Sequence, residues 1–160
     1  MIWGLTESTF TSLHVVLSLI GIGSGLIVLF GLLGGRLRGG WNGLFLLTTV
    51  ATSVTGFAFP TTRLLPSHVV GIISLVVLAV ALVARYPMGL AGVWRRIYVV
   101  SAAIALYLNV FVAITQAFLK FPALNALAPT QSEPPFAAAQ LVVLALFIAL
   151  TLVAVKRARG

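Results

Sequence analysis

The sequence predicts an all-α integral membrane protein that forms a single domain over residues 1–160. Hydrophobic residues make up 61% of the chain and charged residues only 8%. The mean hydropathy is +1.17. Soluble globular domains are about half apolar and about a quarter charged, so this composition is typical of a chain buried in lipid.

Five apolar stretches divide the chain, and each is long enough to cross a membrane as a helix. A hydrocarbon core of about 30 Å needs roughly 20 helical residues. All twelve charged side chains fall outside the five stretches. The predicted spans are residues 12–33, 41–59, 67–84, 97–119 and 136–155, and the longest connection covers residues 120–135.

The basic residues in the connections predict the orientation. Alternate connections place eight Lys and Arg residues on one side of the membrane and only Arg63 and Lys120 on the other. Because connections rich in Lys and Arg stay in the cytoplasm, we expect the N-terminus outside and the C-terminus in the cytoplasm. The eight are Arg36, Arg38, Arg85, Arg95, Arg96, Lys156, Arg157 and Arg159. The net charge of +8 then reflects topology and contact with the lipid bilayer, and no nucleic-acid partner is predicted.

The only two histidines, His14 and His68, open the first and third spans in the same way. Each is followed by Val-Val, and each lies one or two residues inside the predicted outer boundary. Since a helix rises about 1.5 Å per residue, the depths of the two side chains differ by only a few Å. The sequence therefore permits the two histidines to meet in one site.

The spacing from each histidine to a tryptophan suggests an internal duplication. Trp41 follows His14 by 27 residues and Trp94 follows His68 by 26, in each case across an apolar span and a loop that contains Arg and Gly. This pattern indicates a parallel two-helix repeat related by an axis along the membrane normal. We expect a four-helix bundle core built from two such pairs, with the fifth helix at the periphery.

Small residues share the helix faces of both histidines. Ser18 and Gly21 lie on the stripe that His14 begins, and Gly71 lies one turn after His68. Small residues of this kind either allow close helix packing or leave room for a flat ligand. These five residues are candidates for cofactor binding.

The fourth span adds Asn109 and Gln116 on one face, and both are also candidates for cofactor binding. Asn109 lies deep in the span, where interhelical hydrogen bonding is favoured over ligand contact. The second span is rich in Thr and Ser, and most of these hydroxyls are expected to bond to carbonyls of their own helix.

Three chemistries suit a pair of histidines near the outer face. Both could ligate the iron of one haem, since the porphyrin supplies the other four ligands. They could instead bind a quinone, or a metal ion, although a metal ion would need two further ligands and Glu7 and Glu133 are the only carboxylates. A quinone pocket would also use Gln116 or Gln140, with Trp3, Phe57, Phe59 or Phe118 along the ring and tail. Two interfacial histidines that contact lipid headgroups are the alternative without a ligand.

The order of a histidine, a basic loop and an aromatic residue, found twice, resembles small bacterial inner-membrane proteins with a cytochrome-b-like four-helix core. The resemblance covers residues 12–119. It implies a multi-pass protein of the bacterial inner membrane and one b-type haem near the outer face between His14 and His68. Where such proteins carry inner histidines, this chain has Trp41-Asn42 and Trp94-Arg95, so no inner haem is implied.

The leading functional hypothesis is a small electron-transfer subunit that passes electrons to or from quinone or a partner redox subunit. No catalytic residue is predicted, because the chain has no Asp and its spans hold no paired carboxylates. The alternatives are a cofactor-free accessory or assembly protein that binds a partner membrane subunit, a quinone-binding protein, and a small-solute transporter. Homo-oligomerisation is left open.

Overall fold

The computed structural model describes residues 1–158, and 78% of the chain is helical with no β-strand in that part. Arg159, which belongs to the predicted cytoplasmic group, lies outside the described residues. The helices are α1 (Glu7–Leu33), α2 (Gly39–Gly56), α3 (Pro66–Arg85), α4 (Val93–Lys120), α5 (Pro122–Leu127) and α6 (Pro134–Arg157).

Four of these helices, α1, α3, α4 and α6, are long and apolar enough to cross a membrane. The chain is therefore compatible with a multi-pass membrane protein. The second predicted span also forms a helix, α2, but its content of Gly, Asn, Thr and Ser keeps it outside this set. As a membrane span, α2 stays a prediction.

Local sequence explains why α1 is longer than its apolar stretch. The helix begins five residues early because the Thr6 side chain accepts a hydrogen bond from the backbone N–H of Thr9 at 3.2 Å. It ends in a Schellman turn, in which the N–H of Arg36 bonds the carbonyl of Gly31 at 2.8 Å. Gly35 has a φ of +71° in this turn, a conformation that glycine adopts without strain.

Prolines open three of the helices. Pro66, Pro122 and Pro134 stand at the first positions of α3, α5 and α6, where the missing N–H leaves no carbonyl unpaired. The connection over residues 120–135 therefore contains one short helix, α5, which packs against α4.

The long helices pack in two sequential pairs that share an interior. α1 packs against α2 and α3 packs against α4, and the pairs join where α2 contacts α3 and α1 contacts α4. α6 lies outside them against α4 and α1. We call the end that holds the starts of α1 and α3 the histidine end, and the end that holds Arg36, Arg38, Arg85, Arg95 and Arg96 the arginine end.

The apolar core lies toward the arginine end. Leu29, Phe45, Tyr98 and Leu106 from α1, α2 and α4 are almost fully buried there. Gly25 of α1 allows this packing, because a methyl group at its position would lie 2.6 Å from a side-chain carbon of Leu106. Large apolar side chains elsewhere on the long helices face outward, as expected for contact with lipid. The polar side chains that line a cavity lie at the histidine end, whereas the buried Asn42 lies within the apolar core.

Candidate functional site: a cavity between two histidines

A cavity lies among α1, α2, α3 and α4 at the histidine end, and we call it the histidine cavity. Its volume is about 100 Å³. Both histidines line it, together with hydroxyl, glycine and apolar side chains. The polar side chains are His14 and Ser18 of α1, Thr49, Thr52 and Ser53 of α2, Ser67, His68 and Ser74 of α3 and Asn109 of α4.

The ring of His14 is held by Thr55 on the neighbouring helix. Nδ1 of His14 lies 2.7 Å from the Thr55 hydroxyl oxygen, and that oxygen lies 2.7 Å from the backbone carbonyl oxygen of Ala51. The Thr55 hydroxyl is placed to donate its single proton to the Ala51 carbonyl, and in that arrangement Nδ1–H of His14 donates to Thr55. The neutral His14 ring is left with Nε2 as an unprotonated acceptor.

The ring of His68 is held by its own helix start. Nδ1 of His68 accepts a hydrogen bond of 3.0 Å from the backbone N–H of Leu65. This bond is the second half of a capping box, and the first half is missing because the Leu65 side chain has no acceptor. Phe57 stacks on the imidazole, with ring centroids 5.5 Å apart and planes 19° apart. The neutral His68 ring therefore carries its hydrogen on Nε2 and is a donor.

The two histidines thus present opposite hydrogen-bonding groups. Nε2 accepts in His14 and donates in His68. Within residues 1–158 the ring hydrogen bonds of both histidines are made by Nδ1, and neither Nε2 atom makes one. One acceptor and one donor nitrogen are therefore available to a molecule that enters the histidine cavity.

Thr49 adds a buried polar group without a partner. Its side chain is 1% exposed and lines the cavity, yet the hydroxyl has no hydrogen-bond partner in the described chain. The neighbouring hydroxyls of Thr48, Thr52 and Ser53 all bond to carbonyls of their own helix, as the sequence predicted for most of them. A buried hydroxyl without a partner is costly, so Thr49 indicates a place where a ligand atom or a water would bind.

Asn109 and Ser18 close the deep side of the cavity. The Ser18 hydroxyl donates to the Asn109 side-chain oxygen at 2.8 Å, so Asn109 forms the interhelical hydrogen bond that its depth predicted. Gly21 does not line the cavity. A methyl group at Gly21 would lie 3.1 Å from the Asn109 side-chain nitrogen and 3.2 Å from the Thr49 hydroxyl, so this glycine makes room for both.

The glutamines lie elsewhere. Gln116 is exposed on α4 and does not line the cavity. Gln140 lies between α4 and α6, where its amide donates to the Phe111 carbonyl at 3.2 Å and to the Thr115 hydroxyl at 3.3 Å. Of the predicted cofactor-binding residues, the structure brings together on the cavity His14, Ser18, His68, Gly71 and Asn109.

Aromatic side chains flank both imidazoles. Phe59 meets His14 edge to face, with ring centroids 5.3 Å apart. Phe57 lies over Gly71 as well as His68, since a methyl group at Gly71 would lie 3.0 Å from the Phe57 ring. Gly71 therefore fixes where the Phe57 ring rests.

Sequence reasoning did not assign Thr49 or Thr55 to the site. The signal was the helical spacing of Thr49, Ser53 and Gly56, which share one face of α2 and together line the cavity. Thr55 lies outside the lining and acts through His14, so no spacing pattern within α2 marks it.

The residues around the cavity do not fit a haem. A cavity of about 100 Å³ is smaller than the roughly 300–1,000 Å³ that a drug-sized ligand occupies, and a porphyrin is larger than many such ligands. The hydrogen on Nε2 of His68 also leaves no lone pair there for iron, because Nδ1 is engaged with Leu65. No group of three or more His, Cys, Asp or Glu side chains within residues 1–158 is placed to hold a metal ion.

No family model, no curated protein and no solved structure matches this chain. The resemblance to proteins with a cytochrome-b-like core therefore stays a prediction.

Proposed function

We propose that this chain is a multi-pass membrane protein that binds a quinone-class head group, a single six-membered ring with oxygens at opposite ends, in the histidine cavity. The observation that carries the proposal is a cavity of about 100 Å³ onto which both histidines face. That size is of the same order as the cavity of about 150 Å³ that holds a benzene molecule in an engineered protein.

The lining chemistry supports a neutral, ring-shaped ligand. Apart from the two histidines, no ionisable side chain among residues 1–158 lines the cavity. Leu108, Val112 and the Phe57 ring supply apolar surface for a ring. The free Nε2 atoms of His14 and His68 supply polar contacts for its oxygens, which is the usual balance of a small-molecule site.

For the membrane arrangement, we propose five spans, with α2 among them, a four-helix bundle of α1 to α4 and a peripheral α6. The N-terminus lies outside and the C-terminus in the cytoplasm of a bacterial inner membrane. The charge distribution supports this orientation. Within residues 1–158, the two acidic side chains, Glu7 and Glu133, adjoin the histidine end, whereas Arg residues dominate the opposite end. The histidine cavity then opens in the outer half of the membrane.

The electron-transfer role with a b-type haem stays a separate prediction. It would require α1 and α3 to move apart and His68 to give up its bond to Leu65. A reduced-minus-oxidised absorption spectrum of protein expressed with excess haem precursor tests it directly, because bis-histidine haem has a sharp reduced α band.

Calorimetric titration of hydroquinone into protein held in lipid nanodiscs tests the proposed function, with empty nanodiscs subtracted for partitioning into lipid. The variant Val112→Phe fills the cavity, and Val100→Phe makes the same change on an exposed face of α4. We expect saturable binding to the wild type and to Val100→Phe, and binding at least about tenfold weaker to Val112→Phe. Heat no larger than that of empty nanodiscs, or equal binding to Val112→Phe, would overturn the proposal.

A further inference from the structure

We infer that the histidine cavity selects the reduced, quinol form of its ligand over the oxidised quinone, an inference that rests on the proposed function. The basis is the opposite hydrogen-bonding roles of His14 and His68. One offers an acceptor and the other a donor, and each role is set by a contact outside the cavity.

His14 is an acceptor because of Thr55. The Thr55 hydroxyl is committed as a donor to the Ala51 carbonyl, 2.7 Å away, so it can only accept from His14. Nδ1 of His14 therefore keeps the ring hydrogen, and Nε2 keeps a lone pair. No other described residue donates a hydrogen bond to that Nε2 atom.

His68 is a donor because of its place in α3. As the third residue of the helix, its Nδ1 caps the free backbone N–H of Leu65 at 3.0 Å. The stacked Phe57 ring and the glycine beneath it, Gly71, keep the imidazole in that plane. If the ring hydrogen of His68 moved from Nε2 to Nδ1, it would point at the N–H hydrogen of Leu65, and the hydrogen bond between them would be lost.

A quinol complements this pair and a quinone does not. A hydroxyl group both donates and accepts, so one quinol oxygen can donate to His14 Nε2 while the other accepts from His68 Nε2–H. A quinone oxygen only accepts, and beside His14 it would bring two lone pairs together. Leaving a buried acceptor unpaired corresponds to about a tenfold or greater loss of affinity.

Thr55 is then a positioning residue. It does not line the cavity, and it acts only by fixing which nitrogen of His14 carries the hydrogen. In Thr55→Val the His14 ring is free to move its hydrogen to Nε2 and donate to a quinone oxygen. In Thr55→Ser the hydroxyl is kept, so the preference for quinol is kept with it.

The test compares hydroquinone with 1,4-benzoquinone, titrated anaerobically at pH 8 into the wild type, Thr55→Val and Thr55→Ser in nanodiscs. The chain has no cysteine, so thiol addition to the quinone does not interfere. We expect hydroquinone to bind the wild type and Thr55→Ser at least about tenfold more tightly than benzoquinone. In Thr55→Val this ratio should fall toward one, chiefly because benzoquinone binds more tightly.

The outcomes separate the two proposals. Equal affinity for both ligands in the wild type, or an unchanged ratio in Thr55→Val, would overturn the selectivity and leave ring binding intact. Binding of neither ligand above empty nanodiscs would overturn the proposed function and the selectivity together. A Thr55→Val variant that fails to fold leaves the wild-type ratio and the Thr55→Ser ratio as the deciding measurements.

Discussion

Ser18 of α1 and Asn109 of α4 are joined by a hydrogen bond of 2.8 Å from the Ser18 hydroxyl to the Asn109 side-chain oxygen. The Asn109 side-chain nitrogen also lies 3.4 Å from the Ser18 backbone carbonyl oxygen. These contacts lie at the deep side of the histidine cavity. They connect the α1/α2 pair, which carries His14, to the α3/α4 pair, which carries His68.

Replacing Asn109 with leucine should weaken the junction between α1 and α4. Hydrogen bonds between membrane helices contribute about 0.6 kcal/mol on average and up to about 1.7 kcal/mol, so we expect a loss of that order in Asn109→Leu. Unfolding in mixed detergent micelles measures the free energy. Gln116→Leu, on an exposed part of the same helix, is the control and should be nearly neutral. A cost no greater than that of the control would contradict the structural role of Asn109.

Gly25→Ala should destabilise the protein whereas Gly23→Ala should not. The added methyl at Gly25 would lie 2.6 Å from Leu106 and 2.9 Å from Phe45, whereas nothing lies within 4 Å at Gly23. Overpacking of this kind costs about 1–3 kcal/mol. The same unfolding assay compares the two variants, and equal stabilities would mean that α1 does not pack this closely against α2 and α4.

Tyr98 and Asn42 form an isolated polar pair in the apolar core. The Tyr98 hydroxyl donates to the Asn42 side-chain oxygen, and the Asn42 side-chain nitrogen has no partner in the described chain. Tyr98→Phe leaves Asn42 wholly unpaired and should cost about 1–3 kcal/mol of unfolding free energy. Adding Asn42→Leu should recover much of that loss, since both polar groups are then gone.

Tyr107→Phe is the matched control for Tyr98→Phe. Tyr107 lies on the same helix and packs against Phe111 and Phe147, but its hydroxyl makes no hydrogen bond within the described chain. Its removal should leave the unfolding free energy nearly unchanged. If the double variant of Tyr98 and Asn42 is no more stable than Tyr98→Phe, the pair is not coupled as the structure indicates.

The carboxylate of Glu133 organises the end of the connection before α6. It accepts hydrogen bonds from the Thr130 hydroxyl at 2.8 Å and from the backbone N–H groups of Thr130 and Ser132 at 3.1 Å. Desolvation raises the pKa of Glu133, but the hydrogen bonds together outweigh it and hold that pKa below its ordinary value. Because the folded pKa is the lower one, the ordering is present above the ordinary glutamate range and is lost as pH falls through the lowered pKa.

NMR titration of the Thr130 and Ser132 amide resonances checks this behaviour. Both should shift with one midpoint, below that of a glutamate in an unfolded peptide of the same sequence. In Glu133→Gln neither should respond in that range. A midpoint at or above the peptide value would contradict the hydrogen-bonded arrangement.

The membrane arrangement predicts opposite accessibility for the two ends of α2. The chain has no cysteine, so Gly40→Cys and Thr62→Cys each introduce a single reactive thiol at an exposed position. In intact cells a membrane-impermeant maleimide should label Thr62→Cys, and it should label Gly40→Cys only after the membrane is opened. The reverse pattern would invert the topology, and equal labelling of both would mean that α2 does not cross.

Much of the helical framework could be predicted from the sequence because apolar length is a strong signal. The five long helices follow the five apolar stretches, and the helix starts place His14 and His68 at one end. The exact ends depend on caps instead. Thr6 extends α1 at its start, and α2 ends at Gly56, so Phe57 and Phe59 leave the helix and reach the imidazoles.

The details of the site depend on contacts between elements, which no pattern within one helix encodes. The tautomer of His14 is set by Thr55, 41 residues away along the chain. The two histidines also differ in their hydrogen bonds. The His68 ring accepts from the backbone at the start of its own helix, although each histidine precedes a Val-Val pair and the pattern suggests equivalent roles. A repeat in sequence therefore does not extend to a repeat in hydrogen bonding.

The composition of α2 has a consequence for how the protein is made. The helix contributes three of the six hydroxyl side chains that line the cavity, and it is less apolar than the other long helices. Back-bonding of Thr48, Thr52 and Ser53 hides part of that polarity, and packing against α1 hides more. We therefore expect α2 to enter the bilayer together with α1, as the second half of a helical hairpin. Insertion of α2, which supplies polar groups to the cavity, then depends on α1.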